Sequence, residues 1–158
     1  MKPADFLDAI VPAAQACHAA TGIPASFTIA QAALESAWGA SKLANSGHNL
    51  FGVKADPSWK GATVVLQTRE VIKGESVMVM AKWRCYATWL ECLTDRALFF
   101  RQNKRYAACF KATSGPDWCR AVAAAGYATD PQYAEKLLAM IKGRDLERFD
   151  VIAKTVKP

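Results

Sequence analysis

The stretch QAALESAWG, residues 31–39, decides how this chain is read. Alanine and leucine favour a helix, and its apolar residues are of the kind that pack into a core. A carboxylate, Glu35, stands in the middle of it. On a helix, Gln31, Glu35 and Trp38 fall on one stripe at i, i+4 and i+7, while Ala30, Ala33, Leu34 and Ala37 form a neighbouring stripe that can pack inward. That spacing puts Glu35 at a border between core and cleft, beside an indole. Poor solvation disfavours the charged form of a carboxylate, and a carboxylic acid still protonated near neutral pH can donate a proton to a leaving oxygen. Glycosidic bond cleavage needs such an acid, because an alkoxide is a poor leaving group. A solvated glutamate on the outer face of an amphipathic helix is the competing reading of the same spacing.

Outward from this stretch the chain alternates clear signals. Phe6, Leu7, Ile10, Val11, Ala14 and Cys17 carry helical spacing over 4–20, stopped by Gly22 and Pro24. Ser26 or Thr28 is expected to cap the helix that carries Glu35 and runs to about Ala37. Residues 40–61 read as a structured loop region. The period then changes. TVVLQTREV (63–71) and SVMVMAKWRCY (76–86) are rich in Val, Thr, Trp and Tyr, and IKGE (72–75) lies between them with Gly74 available for positive φ. That predicts a β-hairpin. Both strands are partly apolar on both faces, so neither face is assigned to the core. Helices follow over 88–101, 104–111, 115–125 and 131–142, the last with Pro131 at its first position and Gly143 at its end. Residues 151–158 read as a loose tail. The expectation is one α+β domain over 1–150, mainly helical, with one small hairpin inserted.

Composition narrows the chemistry. The 158 residues suit one domain, and 52% apolar with 22% charged is ordinary for a globular protein. No apolar run reaches the ~20 residues of a membrane span, so no stable membrane insertion is expected. Asp5 and Asp8 interrupt the apolar N-terminal stretch, so it does not read as a signal peptide, and synthesis in the cytoplasm is expected. Five cysteines without a CxxC suit neither zinc nor a disulfide framework and read as buried small hydrophobes. His18 and His48 have no metal-like spacing, and neither sits in a recognisable catalytic setting. No metal or cofactor is expected. A net charge of +6 attracts polyanions, but the longest basic cluster, RQNKR at 101–105, is too short for a nucleic-acid stripe, and no nucleic-acid partner is expected. The hairpin offers two further carboxylates. Glu70 near a strand end is held more firmly than Glu75 in the turn, although Arg69 and Lys82 could simply pair with Glu70 at the surface.

Taken in order, AQAALESAWGASKLA (30–44), NLFGVKA (49–55), WKG (59–61), TREVIKGE (68–75), KWRCYATWLECLTD (82–95) and GYATDPQYAEKL (126–137) resemble the glucosaminidase domain of glycoside hydrolase family 73. The likeness is strongest to the domain fused to the flagellar rod-assembly protein of proteobacteria, and it covers roughly residues 4–145. The resemblance implies a lysozyme-like fold, with a helical lobe, a small β-lobe and a cleft between them. It implies cleavage of the β-1,4 bond after N-acetylglucosamine in peptidoglycan, with the glycan strand as the partner. It places Glu35 on the general acid and Glu70 on the second carboxylate, at the tip of the β-lobe. The family's TTEY is TREV here, so Val71 replaces a tyrosine beside that carboxylate. Tyr127 falls on a tyrosine that lines the cleft, and Asn49 and Phe51 on the motif that shapes its floor.

The side-chain chemistry is compatible with those roles. Tyr127 offers a hydroxyl and a face for a sugar ring, with a core tyrosine as the alternative. Asn49 could fix the acid, bind an acetamido group or cap a loop. Trp38 and Gln31 share the stripe of Glu35 and are taken as substrate contacts, although Trp38, Trp59, Trp83 and Trp89 cannot all be sugar platforms. Charge developing at the anomeric carbon could be met by water activated at Glu70, by Glu70 itself, or by the substrate's 2-acetamido group. Carboxylate separations of about 5–5.5 Å and about 6.5–9.5 Å distinguish retention from inversion. A muramidase or lytic transglycosylase acting on the same polymer, and a non-catalytic wall-binding or flagellar-assembly module, remain the alternatives. A phage endolysin, monomeric and reaching the wall after release from the cytoplasm, is the expected setting.

Overall fold

The computed structural model describes residues 1–151, and the expected tail falls on residues 152–158, outside the described part. The first helix, α1 (Pro3–Thr21), buries Phe6, Leu7, Ile10, Ala14 and Cys17 and ends on a left-handed Gly22. Pro12 lies inside α1 on its exposed side.

The helix with Glu35 is α2 (Ala25–Ser36). Residues 25–33 and Ser36 are all buried, leaving only Leu34 and Glu35 to approach solvent. It is a central helix, surrounded by α1 and, later in the chain, α5 (Gly115–Ala124), α6 (Tyr133–Gly143) and a 3₁₀ turn at Leu146–Phe149. The many small residues of ASFTIAQAALES allow that close approach.

Capping of α2 differs from expectation. Pro24 occupies the N-cap position and offers no side-chain acceptor, while Ser26 and Thr28 lie inside the helix. The orphan donors of the first turn must still be satisfied. Asp150 does this from the far end of the fold: Oδ1 accepts the Ser26 N–H at 2.7 Å and Oδ2 accepts the Ser26 hydroxyl at 2.5 Å.

The loop region contains one short helix, α3 (Lys42–Gly47), capped by Ser41. The hairpin forms as expected, β1 (Thr63–Ile72) pairing antiparallel with β2 (Glu75–Arg84) from Thr63↔Arg84 to Ile72↔Glu75. Lys73 and Gly74 make the turn at φ 51° and 81°, the positive-φ pair that matches strand twist in a two-residue turn. No residue of either strand is fully buried. The ribbon stands out from the helical body, which is why its pattern gave no core side.

After the hairpin, Thr88 caps α4 (Trp89–Gln102), accepting from the Glu91 N–H at 3.2 Å. Lys104–Lys111 is a 3₁₀ helix. Pro131 precedes α6 by two residues rather than opening it; it lies in a turn where Asp130 accepts the Gln132 N–H at 2.9 Å. The aromatic core gathers Phe27, Phe100 and Trp118. All five cysteines are free, with four buried and Cys85 half-buried. Among the described residues no helix is long and apolar enough to cross a membrane.

Candidate active site

Where the hairpin base meets the helical body a cleft of about 410 Å³ opens. Phe51, Phe99, Tyr106 and Tyr127 give it aromatic walls, and Glu35, Arg84 and Asp95 place charges on them. An apolar, aromatic cleft with a few convergent polar groups is the form of a ligand site, and for a sugar it supplies both stacking faces and hydrogen-bonding groups.

Glu35 sits on the last turn of α2 with its carboxylate exposed to this cleft. The expected poor solvation beside an indole is therefore corrected. The helix ends at Ser36, and Ala37 and Trp38 both take left-handed backbone angles, φ 51° and 57°. Trp38 thereby leaves the i, i+7 stripe. Its ring meets Phe6 edge-on at 5.6 Å, and the Arg144 guanidinium lies over it at 5.1 Å. It does not join the cleft wall.

What orients Glu35 is a tyrosine. The Tyr133 hydroxyl, at the start of α6, donates to Glu35 Oε1 at 2.8 Å. Tyr127 stacks on Tyr133 with ring centroids 5.7 Å apart and planes 21° from parallel. Burial pushes both phenols well above the usual tyrosine range, and the neighbouring Glu35 carboxylate adds to this. Both hydroxyls stay protonated and can donate.

Gln31 is placed behind this layer, 0% exposed. Its amide donates to the Tyr133 hydroxyl at 3.1 Å and accepts from Arg96 Nη1 at 2.8 Å. Substrate contact for Gln31 is thus corrected to a place in the supporting network. Asn49 is buried too, and of its open alternatives the loop cap is the one observed. Its Nδ2 donates to the Val53 and Arg84 carbonyls at 2.9 and 3.0 Å, and its Oδ1 accepts the Val53 N–H at 3.1 Å. It pins the segment that carries Phe51 to the hairpin base. Phe51 itself lines the cleft, mostly buried, under the Arg96 guanidinium at 4.9 Å.

Glu70 lies apart from this lining. It faces Val77 across the ribbon near the turn, and the Lys54 ammonium pairs with it at the surface. The second carboxylate on the cleft wall is instead Asp95, from α4. Its Oδ2 accepts from the Tyr86 hydroxyl at 2.5 Å and from Arg84 Nη1 at 2.8 Å, which ties the hairpin base to the helical body. Among the described residues no cluster of three or more His, Cys, Asp or Glu is arranged to hold a metal.

Three functional neighbours escaped the sequence reading: Tyr133, Asp95 and Arg96. Arg96 had a signal. Cys92, Leu93, Arg96, Ala97 and Phe100 share the buried face of α4, so a charge stands where helical spacing demands an apolar residue. Tyr133 lies in the quoted GYATDPQYAEKL but six residues past Tyr127, across a turn. Asp95 gives no local sign of its partners, because Arg84 ends β2 and Tyr86 lies in the segment between β2 and α4, outside any helical or strand period shared with Asp95.

Residues 11–146 match the family model Glucosaminidase, described as mannosyl-glycoprotein endo-beta-N-acetylglucosaminidase. The peptidoglycan hydrolase FlgJ of Salmonella typhimurium is 41% identical over 142 residues, covering 87% of this chain and 45% of that protein. The exo-glucosaminidase LytG of Bacillus subtilis is 39% identical over 157 residues, covering 96% of this chain and 55% of that protein. The chain thus spans about half the length of these relatives. Among solved structures, the catalytic domain of the autolysin Auto from Listeria monocytogenes superposes with a TM-score of 0.85 at 30% identity, over 94% of this chain and 87% of that one.

Proposed function

The chain belongs to the glucosaminidase family of glycoside hydrolases, family 73, and from that premise we propose that it hydrolyses peptidoglycan at the β-1,4 bond after N-acetylglucosamine. The observation that carries the reading is the exposed Glu35 carboxylate, aimed by Tyr133 into an aromatic-walled cleft. A glycan strand lies along the cleft, with Tyr127 and Phe99 as its apolar faces. Glu35 delivers a proton to the bridging oxygen as the bond to the anomeric carbon breaks.

The positive charge that develops is met by the substrate's own 2-acetamido oxygen, which bonds to the anomeric carbon as the leaving oxygen departs with the proton from Glu35; water, surrendering its proton to the now ionised Glu35, then breaks that bond and frees the sugar. Two placements support this choice. Glu70 is paired with Lys54 away from the cleft wall, and Asp95 is already engaged by Arg84 and Tyr86. Glu70 is then a helper brought in by bending of the hairpin, and Glu70→Gln slows the reaction far less than Glu35→Gln.

The cellular setting we propose is that of an endolysin: a monomer made in the cytoplasm that acts on the wall after release. The +6 charge against an anionic wall supports it.

The test is digestion of purified peptidoglycan by wild type and Glu35→Gln, with borohydride reduction and mass spectrometry of the fragments. Fragments ending in reduced glucosaminitol are expected, falling by ~10²–10⁴-fold in the variant, the range for loss of a general acid. Reduced muramitol or anhydromuramic ends would reassign the bond cleaved. Undiminished product from the variant would remove Glu35 from the acid's role.

A further inference from the structure

Arg96 is a cation in the wrong place. It is 2% exposed, and no carboxylate pairs with it among the described residues. Burying a charge without a counter-ion is costly unless hydrogen bonds and polarisable neighbours compensate. Here Nη1 donates to Gln31 Oε1 at 2.8 Å and Nη2 to Thr28 Oγ1 at 2.5 Å, and Phe27, Phe51 and Phe100 lie around the guanidinium at 5.2, 4.9 and 5.2 Å. The mechanism above gives this group no task.

Its chemistry imposes a direction on everything in front of it. A guanidinium has donors and no acceptor. Gln31 must therefore turn its carbonyl oxygen to Arg96, which leaves its NH₂ facing Tyr133. The Gln31 Nε2 donates to the Tyr133 oxygen at 3.1 Å. With that oxygen occupied as an acceptor, the single Tyr133 proton goes to Glu35 Oε1 at 2.8 Å. An amide alone could flip and reverse the chain; next to Arg96 it cannot. Glu35 Oε1 is held as an acceptor, so any proton on this carboxyl resides on Oε2, for which no protein partner is found among the described residues.

We propose that Arg96, Gln31 and Tyr133 are positioning residues, a one-way hydrogen-bond chain that reserves Oε2 of Glu35 for the proton delivered to the substrate. The proposal rests on Glu35 being the general acid. Its function is orientation: a carboxyl free to protonate on either oxygen would hold its proton on the buried side part of the time, where it cannot reach the bridging oxygen. The charged and titratable groups around Glu35 are Tyr127 and Tyr133, Arg96 behind Gln31, and Arg84, Asp95 and Tyr106 on the same cleft wall. Tyr133→Phe removes only the Tyr133 hydroxyl from this set, whereas Gln31→Glu also adds a carboxylate against Arg96, whose repulsion of ionised Glu35 acts in the same upward direction, so the Tyr133→Phe profile carries the test.

The experiment measures kcat and KM against pH on a soluble glycan fragment for wild type, Tyr133→Phe and Gln31→Glu, with thermal unfolding of each as a control. Tyr133→Phe removes the donor to Oε1. Gln31→Glu keeps the shape of the side chain but can only accept, so the Tyr133 proton is drawn back towards position 31. A hydrogen bond to a carboxylate favours its ionised form. Losing one is expected to move the alkaline limb of kcat upward by about one pH unit in both variants. The plateau kcat is expected to fall about tenfold or more, with KM within about twofold. Loss of kcat with an unmoved alkaline limb in both variants would overturn the chain, as would unchanged kinetics in folded Gln31→Glu. Glu35→Gln separates the two levels. If it is inactive while the two profiles stay unmoved, the chain alone falls; if it stays active, the reading of Glu35 falls with it.

Discussion

Gly115→Ala tests how the acid-bearing helix is held in the fold. Gly115 opens α5 against the first turn of α2, and a Cβ built there would stand 1.9 Å from Ser26 Oγ, 3.1 Å from Ser26 Cβ and 3.4 Å from the Phe27 nitrogen. Ordinary contact begins near 3.4 Å, so the hydroxyl would have to retreat by about 1.5 Å. It is not free to do so, because it donates to Asp150 at 2.5 Å. If the hydroxyl rotates away, a charge-assisted hydrogen bond worth ~1.5–3 kcal/mol is lost. If α5 backs off instead, overpacking costs ~1–3 kcal/mol. The better helix propensity of alanine returns at most ~1 kcal/mol. The net loss is then about 1–2 kcal/mol, a fall in Tm of roughly 2–8 °C for a chain of this length. Urea and thermal unfolding of wild type, Gly115→Ala, Ser26→Ala and the double variant form the assay. With Ser26→Ala the 1.9 Å neighbour is gone and only the Cβ at 3.1 Å must yield, so Gly115→Ala is expected to be nearly neutral in that background. Losses that add within ~0.3–0.5 kcal/mol would refute the packing account.

Three further outcomes follow from the same structure. Burial pushes the Cys92 and Cys119 thiols from 9.0 up to about 12. Iodoacetamide at pH 8 is therefore expected to label half-buried Cys85 and spare these two, as read by peptide mass mapping. Unfolded thiols ionise near 9.0 and the native ones near 12, so their contribution to stability is complete below pH 9 and disappears between pH 9 and 12. A Tm that stays flat from pH 9 to 11 would contradict it. Asp95→Asn weakens the bonds from Tyr86 and Arg84 and is expected to lower stability by ~2 kcal/mol. Hydrogen exchange should quicken over residues 63–84 more than in α2, and a uniform rise across the chain would argue against Asp95 as the tie between hairpin and helical body.

The fold was legible where local chemistry decides it. The hairpin announced itself through a change of period and a glycine at the turn, and the helices through apolar spacing. What a stripe cannot tell is what surrounds it. The α2 pattern reads as amphipathic because Gln31, Ser26, Thr28 and Ser36 are polar, yet all four are buried; Ser36 bonds locally to Ala32 and Gly39, but the partners of the other three are Arg96, Asp150 and Tyr133, none close in sequence. The i+7 position of Trp38 failed for a local reason, since the backbone turns left-handed at Ala37. In the cleft, Glu35, Phe51 and Tyr127 meet on one wall, while Gln31 and Asn49 stand behind it and Glu70 pairs with Lys54. Short polar side chains near a site can face substrate or hold the wall, and only tertiary placement separates the two.

The clasp between Ser26 and Asp150 also sets an order in time. The two residues are 124 positions apart, and at ~5–20 residues per second a ribosome needs about 6–25 s to travel from one to the other. Throughout that interval the first turn of α2 has been made but lacks the carboxylate that satisfies it. Tyr133, which aims Glu35, also arrives late, 98 positions after the acid. The nascent chain therefore carries its acid long before it carries the parts that hold and point it, and the centre of the domain closes only when its last turn has emerged. Contacts of such long range slow folding.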